Sequence, residues 1–245
     1  MQLHDRRDDE KLLVLGHRGF HKTEKENTLA AFGKAIEAGC DGIELDVHIT
    51  ADGKLIVHHD FNLERVWGIP VPIEEAKFYE IRSISESIPT LREVLDAMGP
   101  IYYDIEIKAD ITYRRKLIYS ILDELESHPE LREKVMISSF NPIAMHDVEK
   151  AMKYDYPLLC IYDGTEAVPR ILRHGEGRFF FNASGLKPKW DIAEEEKKRH
   201  SSYPIVPWTV DDISVLNSMT ELKAPIVITN ESEAIVRALQ GKSLH

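Results

Sequence analysis

Three apolar runs in the first quarter of the chain carry charged or imidazole side chains at or near their C-terminal ends. The segments are Val14–Gly19, Gly42–Val47 and Lys54–Asp60. A folded chain buries such runs and keeps polar groups mainly where they meet water, a ligand or a paired charge. The pattern therefore predicts buried strands whose ends form the rim of an active site.

From residue 90 onward, apolar runs alternate regularly with amphipathic stretches. Strands are predicted at 101–107, 134–139, 157–161, 178–182, 204–208 and 225–229. Helices are predicted at 111–127, 142–153, 165–173, 190–200, 211–219 and 231–240. Two earlier strands are predicted at 12–16 and 42–47. Two earlier helices are predicted, one from Asn27 to a stop at Gly39 and one from the capping box Thr90-x-x-Glu93 to a stop at Gly99, so eight strands alternate with eight helices. This order predicts an α/β fold with a parallel sheet closed as a TIM (β/α)8 barrel, and an open doubly wound sheet is the weaker alternative.

The length of 245 residues fits one barrel, so we expect a single domain over residues 1–245. Residues 1–11 are highly charged and are interpreted as a lead-in to the first strand. Residues 61–88 break the alternation with Trp67, Gly68 and several prolines. We interpret this segment as a small insertion, after the second strand, that packs over the mouth of the site.

The charge balance limits the partners. There are 31 basic and 42 acidic residues, a net charge of −11, which disfavours binding to nucleic acid or stable association with an anionic membrane. No Gly-x-Gly-x-x-Gly or Walker-type loop follows the first strand, so nothing favours nucleotide binding.

Cys40 and Cys160 are too far apart for a metal motif and are expected to be free thiols in a reducing cytoplasm. The N-terminus lacks the apolar stretch of a signal peptide, so the expected location is cytoplasmic.

Carboxylates on the predicted strands indicate a metal site. Glu44 and Asp46 are two residues apart on one strand, so their side chains point the same way, and they repel each other unless a cation or a proton separates them. Solvent-facing charges are the alternative, but this strand of a closed barrel has no solvent edge. Glu106 repeats the situation on a neighbouring strand. Three carboxylates around one point suit one hard divalent cation, Mg²⁺ or Ca²⁺.

Basic side chains lie beside these carboxylates. His17 and His59 can titrate near neutral pH, which suits a general acid–base pair, although a single histidine at a strand end is more often structural. Arg18 offers a planar fork that matches phosphate oxygens, and Lys108 adds a point charge. Cations next to a divalent metal point to a phosphate ester as the substrate.

A series of motifs over about residues 13–239 resembles the glycerophosphodiester phosphodiesterases of the cytosolic bacterial and archaeal type. The motifs are His17-Arg18-Gly19, Glu26-Asn27-Thr28, Glu44-x-Asp46-Val47, Thr50-x-Asp52-Gly53, His59-Asp60, Pro89-Thr90-Leu91, Glu106-Ile107-Lys108, Ser138-Ser139-Phe140, Trp208-Thr209-Val210 and Ile228-Thr229-Asn230. The motifs of the front half are highly specific, whereas the later ones are weak on their own.

The resemblance implies a TIM barrel that hydrolyses small glycerophosphodiesters to sn-glycerol 3-phosphate and an alcohol. The implied roles are general acid–base catalysis by His17 and His59, metal binding by Glu44, Asp46 and Glu106, and phosphate binding by Arg18 and Lys108. Trp208 and Phe140 are candidates for contact with the glycerol or the leaving group, and core packing is an equal alternative for both.

Some positions depart from the family pattern. Arg65–Gly68 replaces the usual Arg-Thr-Thr-Gly-like stretch, which puts the specificity for the leaving alcohol in doubt. His58 is an extra histidine that strand alternation turns to the opposite face, so a structural role is expected. Asn230 stands where Asp is common and is assigned a helix-capping role.

Three other functions are compatible with part of this pattern. A lysophospholipase D would use the same site, but it would need an apolar groove, for which the Trp67 segment is the candidate. A non-catalytic barrel that binds metal or phosphate would be expected to lack one of the acid–base groups. A metal-dependent lyase would make less use of Arg18.

Overall fold

The computed structural model describes residue 3 and residues 11–110, 112–166 and 168–242. Most of the predicted lead-in at residues 1–11 thus lies outside the described residues. Leu3 is buried beneath the barrel with Leu13, Leu159 and Ile226.

The strands form one sheet in which seven strands run parallel. They are β1 Leu13–His17, β2 Gly42–Ile49, β3 Leu55–Val57, β4 Tyr102–Ile107, β5 Val135–Ser139, β6 Leu158–Tyr162, β7 Gly185–Pro188 and β8 Ile226–Thr229. Their order is β7-β6-β5-β4-β2-β1-β8, and β3 pairs antiparallel with the end of β2.

The segment at 204–210 closes the barrel between β7 and β8. On one side Val206 N donates to Leu186 O, and on the other Val210 N donates to Ile228 O, each at 2.8 Å. Pro204 and Pro207 have no N–H to donate, so the predicted strand 204–208 forms isolated parallel bridges instead of a continuous ladder. Counted with this segment, eight parallel positions surround the interior, and the prediction of a TIM (β/α)8 barrel is confirmed.

Helices alternate with the strands and, apart from the two short ones that follow β3, cover the outside of the sheet. They are α1 Leu29–Glu37, α2 Glu64–Trp67, α3 Phe78–Ile84, α4 Leu91–Met98, α5 Arg114–Glu126, α6 Pro142–Ala151, α7 Ala193–Arg199, α8 Leu216–Glu221 and α9 Ser232–Lys242. The main apolar core lies between the strands and these helices, where the odd-numbered residues of β2 (Ile43, Leu45 and Val47) are buried. The even-numbered residues of β2 point into the barrel, which places Glu44 and Asp46 in its interior.

Two predicted elements between β6 and β7 are wrong. Where the structure describes residues 165–173, it shows a 3₁₀ turn at Arg170–Leu172 and no α-helix, and the predicted strand 178–182 overlaps another 3₁₀ turn, Glu176–Phe180. The strand lies instead at Gly185–Pro188. Its Gly, Lys and Pro are poor strand formers, whereas Phe179–Phe181 match strand propensity but lie on the outside of the barrel.

The segment between β3 and α4 has its own small core. Leu63, Ile73, Ile81 and Ile88 are buried there against Ile56 of β3. Within the described part of the chain, no helix has both the length and the apolar character needed to cross a bilayer.

Candidate active site

Strand register brings the predicted polar residues together at the C-terminal end of the barrel. His17 is paired in register with Glu44, and Asp46 with Glu106. Residues from β1, β2 and β4 therefore occupy adjacent positions although they are up to 89 residues apart in sequence. This is the mouth where parallel barrels carry their functional groups.

The three predicted carboxylates form one cluster. Ligand oxygens of Glu44, Asp46 and Glu106 all lie within 4.8 Å of one another, and all three residues are buried. Burial and the neighbouring Asp46 raise the pKa of Glu44 well above its usual value. Burial would raise the pKa of Asp46 too, but Lys108 and Arg18 outweigh it and hold that pKa far below normal.

Two cations border the carboxylates. Arg18 Nε lies 3.3 Å from Asp46 Oδ2, and Lys108 Nζ lies 3.0 Å from Asp46 Oδ1. Burial opposes both charges, yet Asp46 and its neighbours outweigh burial and raise the pKa of each group. Both side chains therefore stay charged and can meet an anionic ligand at the mouth.

The chain reverses sharply after β1, and this turn orients Arg18. Arg18 (φ 53°) and Gly19 (φ 80°) adopt the left-handed conformation. The backbone N–H of Arg18 donates to the Glu44 carboxylate at 3.1 Å. The turn thus joins the candidate phosphate-binding arginine to a candidate metal ligand.

His17 is held in one orientation by Asn230. His17 Nδ1 lies 2.7 Å from Asn230 Oδ1. The amide nitrogen of Asn230 donates to Asp211 Oδ2 at 2.7 Å, which fixes the oxygen towards His17, so Nδ1 carries the proton. His17 Nε2 is then the acceptor, 3.9 Å from Glu44 Oε2. Burial, with the nearby Arg18 charge, lowers the pKa of His17 to about 3.

His59 has an equivalent arrangement with Asp60. Its Nδ1 lies 2.6 Å from Asp60 Oδ1. Although partial burial disfavours ionisation, hydrogen bonds from Arg65 and His59 lower the pKa of Asp60 to about 2. Asp60 is therefore an acceptor only, His59 donates through Nδ1, and its Nε2, which has no hydrogen bond to another described residue, can exchange a proton. Burial lowers the pKa of His59.

The Glu26-Asn27-Thr28 motif supports this site from the loop before α1. Asn27 Nδ2 donates to Asp46 Oδ2 at 2.8 Å. Thr28 caps α1 by accepting from Ala31 N. Glu26 accepts from Arg18 Nη1 at 3.1 Å. The resemblance to the family identified this motif in the sequence. The hydrogen-bond partners of its side chains could not be assigned from the sequence.

Arg65, on α2, connects the loop before α1 with the segment that follows β3. Its Nε donates to Asp60 at 2.6 Å, and its two terminal nitrogens donate to the Glu26 carboxylate at 2.9 and 2.6 Å. Glu26 and Asp60 in turn contact Arg18 and His59. One half-exposed arginine thus links the partners of a candidate phosphate ligand and a candidate acid–base group.

Phe140 and Trp208 pack edge to face at the mouth, with ring centres 5.6 Å apart. Trp208 Nε1 donates to the Lys187 carbonyl at 3.1 Å, while Phe140 is 37% exposed. Trp208 is therefore anchored to β7, and Phe140 presents apolar surface to solvent.

Two further predictions concern single polar residues. His58 is buried with Nε2 3.0 Å from Asn62 O, which agrees with a structural role. The helix-capping role for Asn230 is wrong. Among the described residues, its side chain bonds His17, Thr209 and Asp211, because β8 pairs with β1 and the turn after β8 therefore lies beside the end of β1.

Lys187 was not predicted as a site residue, because β7 itself was misplaced. Its side chain is 2% exposed inside the barrel, with Nζ 2.7 Å from Asp104 Oδ2 and 3.9 Å from Glu44 Oε1. Asp104 is the register partner of Glu44 and lies one layer deeper than Glu106.

Comparison with known proteins places this site in a family. A sequence model of the glycerophosphoryl diester phosphodiesterase family matches residues 17–234. A glycerophosphodiester phosphodiesterase of Caldanaerobacter subterraneus subsp. tengcongensis is 30% identical over 94% of this chain and 98% of its own length. Lysophospholipase D GDPD1 of Homo sapiens is 33% identical, but over 41% of this chain and 38% of its own.

Solved structures show the same fold. The glycerophosphodiester phosphodiesterase of Thermotoga maritima superposes with a TM-score of 0.75 at 29% identity, covering 93% of this chain and 98% of that one. A phosphodiesterase of Oleispira antarctica, solved in complex with its product sn-glycerol-3-phosphate, superposes with a TM-score of 0.78 at 21% identity, covering 93% and 96%. With the family match over most of its length, the chain belongs to the glycerophosphoryl diester phosphodiesterase family.

Proposed function

We propose that this chain hydrolyses glycerophosphodiesters to sn-glycerol 3-phosphate and an alcohol, with one divalent cation and two histidines. The observation that carries the proposal is the juxtaposition of three buried carboxylates with His17 and His59. Each histidine donates its Nδ1 proton to a rim acceptor, which leaves Nε2 to exchange protons with the reacting groups. The sn-glycerol-3-phosphate held by the Oleispira antarctica relative supports the nature of the product.

The donor set of Glu44, Asp46 and Glu106 fits a divalent cation. Three buried carboxylates this close repel one another, and the raised pKa of Glu44 reflects that repulsion and its burial. Their hard oxygen atoms suit Mg²⁺ or Ca²⁺ better than a softer metal. When bound, such an ion would supply charge stabilisation for the phosphoryl oxygens.

Arg18 and Lys108 would bind and orient the phosphodiester. Both remain charged because Asp46 faces them, and both lie at the mouth of the barrel. Arg18 can donate in a fork to two phosphate oxygens, and Glu26 holds its guanidinium in place. This preorganisation favours the charge that develops on the phosphoryl group.

His17 and His59 would move the protons. One Nε2 takes a proton from the attacking hydroxyl or water, and the other gives a proton to the leaving alkoxide. Burial lowers the pKa of both imidazoles, which keeps them neutral in the free protein near neutral pH, so the imidazole that acts as the acid must first take up a proton from solvent at Nε2. An anionic phosphodiester would raise both pKa values on binding, since it favours the imidazolium.

A coupled assay for glycerol 3-phosphate, over a panel of glycerophosphodiesters with and without EDTA, tests the proposal. We expect release that EDTA abolishes and that added Mg²⁺ or Ca²⁺ restores. His17→Ala and His59→Ala should each lower turnover by roughly 10²–10⁴-fold. The exposed His146→Ala serves as a control and should leave turnover unchanged. No release from any substrate, or release indifferent to EDTA, would refute the proposal.

A lysophospholipase D activity is the second candidate, and a groove favours it. The groove has a volume of about 740 Å³ between α1, α4 and the segment after β3, and Leu29, Trp67 and Pro89 contribute its apolar walls. Lys25 Nζ lies 4.3 Å from the ring centre of Trp67. An acyl chain could lie there, although neither His17 nor His59 lines the groove.

Comparison of glycerophosphocholine with lysophosphatidylcholine distinguishes the two functions. If the groove holds an acyl chain, Trp67→Ala should raise the KM for the lysolipid and leave that for glycerophosphocholine unchanged. If the lysolipid is not hydrolysed by the unaltered protein, the second function is excluded and the first stands.

A further inference from the structure

Lys187 is buried in the barrel where its charge cannot reach water. The residue lies in β7, and its side chain is 2% exposed. Its closest partner is Asp104 Oδ2 on β4, at 2.7 Å, and Ser138 Oγ lies at 3.4 Å. Since β7 and β4 are separated by two strands in the sheet, this is an ion pair across the barrel interior.

The ion pair lies directly beneath the carboxylate cluster. Asp104 precedes Glu106 by two residues on β4 and is the register partner of Glu44. Lys187 Nζ is 3.9 Å from Glu44 Oε1, on the side of Glu44 away from the contact between Oε2 and His17 Nε2. Lys187 is therefore close enough to act on a candidate metal ligand but too deep to touch the substrate.

Stability alone is a weak reason for such a pair. Burying two charges is costly, and replacement of a buried pair by apolar residues is often neutral or stabilising. The Ser138 hydroxyl also donates to Asp104 Oδ1 at 2.7 Å, so both ions are fixed in place. Four carboxylates (Glu44, Asp46, Asp104 and Glu106) and three cations (Arg18, Lys108 and Lys187) meet in this part of the barrel.

We propose that Lys187 is a fixed internal cation that sets the affinity of the carboxylate cluster for its divalent ion, acting through Glu44. Asp104 holds the ammonium group and cancels part of its field. The ammonium occupies the deep side of Glu44, where it repels a divalent cation and limits how tightly the cluster holds one. The inference rests on the metal-binding part of the proposed function.

The inference predicts opposite effects for the two members of the pair. Lys187→Met removes a positive charge and should tighten Mg²⁺ and Ca²⁺ binding, whereas Asp104→Asn removes a negative charge and should weaken it. Each change should be on the order of tenfold, as for other partners of metal ligands. The double variant Lys187→Met/Asp104→Asn should return to within about threefold of the unaltered protein, because the two fields cancel.

Calorimetric titration of the EDTA-stripped proteins with Mg²⁺ and Ca²⁺ measures this. Circular dichroism checks the fold, and Lys153→Met, at the exposed Lys153–Glu126 pair, controls for the loss of a surface charge and should change nothing. A merely structural pair would weaken binding in both single variants, and that result would overturn the inference.

Lys187→Met leaves Asp104 buried without its cation, so this variant could fail to fold. The comparison of Asp104→Asn with the double variant then decides. Binding about tenfold tighter in the double variant supports the inference, and equal or weaker binding overturns it. If the unaltered protein binds neither ion, the metal part of the proposed function fails first. If it binds an ion but the variants do not move in opposite directions, the inference about Lys187 fails alone.

Discussion

Asp60 Oδ1 accepts a hydrogen bond from His59 Nδ1 at 2.6 Å. The same carboxylate accepts from Arg65 through its other oxygen, also at 2.6 Å. Asp60 therefore fixes the tautomer of His59 and the orientation of its ring at once. Asp60 is not among the three clustered carboxylates of Glu44, Asp46 and Glu106. Its pairing with His59 therefore gives a role to the acidic residue of the His59-Asp60 motif.

Asp60→Asn should lower kcat by on the order of 10²-fold, towards the lower end of the range for general acid–base catalysis. The amide keeps the size of the side chain but loses the charge that favours the imidazolium form. The pKa of His59 should then fall further. The part of the pH profile of kcat/KM that reports the ionisation of His59 should therefore move to lower pH.

Glu64→Gln, on the exposed side of α2, is the matched control and should change neither kcat nor the profile. A lower kcat with an unmoved pH profile would mean that Asp60 only supports the loop, and the assigned role in orienting His59 would be lost.

The sequence was sufficient to place the front half of the site, because the relevant patterns are local. Glu44 and Asp46 share a strand face by simple alternation, and Thr90 caps α4 through the expected capping box with Glu93. Parallel strands then bring Glu106 beside Asp46 once the barrel order is known. Short-range rules and one topological rule were enough for these residues.

The partners of the site residues could not be predicted in the same way. Asn230 and His17 are 213 residues apart and meet only because β8 pairs with β1. Lys187 lies in a four-residue strand whose composition opposes strand formation. Its buried charge is tolerated because the Asp104 carboxylate lies opposite it in the barrel. Closure of the barrel, which depends on the whole chain, decides these contacts.

Arg65→Gln should cost stability in a pH-dependent way. Although burial favours their neutral forms, hydrogen bonds from Arg65 lower the pKa of Glu26 and that of Asp60, each to about 2, from usual values of 4.5 and 3.8. A lowered pKa in the folded state stabilises the protein above the usual pKa, and this contribution is lost as the pH falls through the folded value. Since Arg65 is half exposed, the contribution is roughly 0.5–1 kcal/mol.

The difference in free energy of unfolding between the unaltered protein and Arg65→Gln should thus be constant above pH 4.5 and shrink as the pH approaches 2. Urea titrations across this range measure it. Arg92→Gln, at the exposed pair with Glu124, is the control for the loss of a surface arginine. A difference that does not change with pH would rule out the ion-pair explanation.

Arg18→Lys should impair substrate binding and turnover although it keeps the charge. Lysine cannot form the planar fork that contacts Glu26 and faces the phosphate position. We expect kcat/KM to fall by roughly 10–100-fold, the loss of one charge-assisted contact to the phosphoryl group. Steady-state kinetics with glycerophosphocholine test this, and an unchanged kcat/KM would remove Arg18 from phosphate recognition.

Gly19→Ala should destabilise the fold much more than a glycine-to-alanine change usually does. Gly19 has φ +80°, and a Cβ there would lie 2.5 Å from the backbone carbon of Ala31. The turn that carries Arg18 would have to move, at a cost of about 2–4 kcal/mol in free energy of unfolding. Gly33→Ala is the matched control, because an added Cβ there would meet no atom within 4 Å apart from its chain neighbours and the backbone of α1 itself. That change should stabilise by up to about 1 kcal/mol, since alanine favours helix. Equal effects of the two substitutions in denaturant titrations would contradict the close packing of the turn against α1.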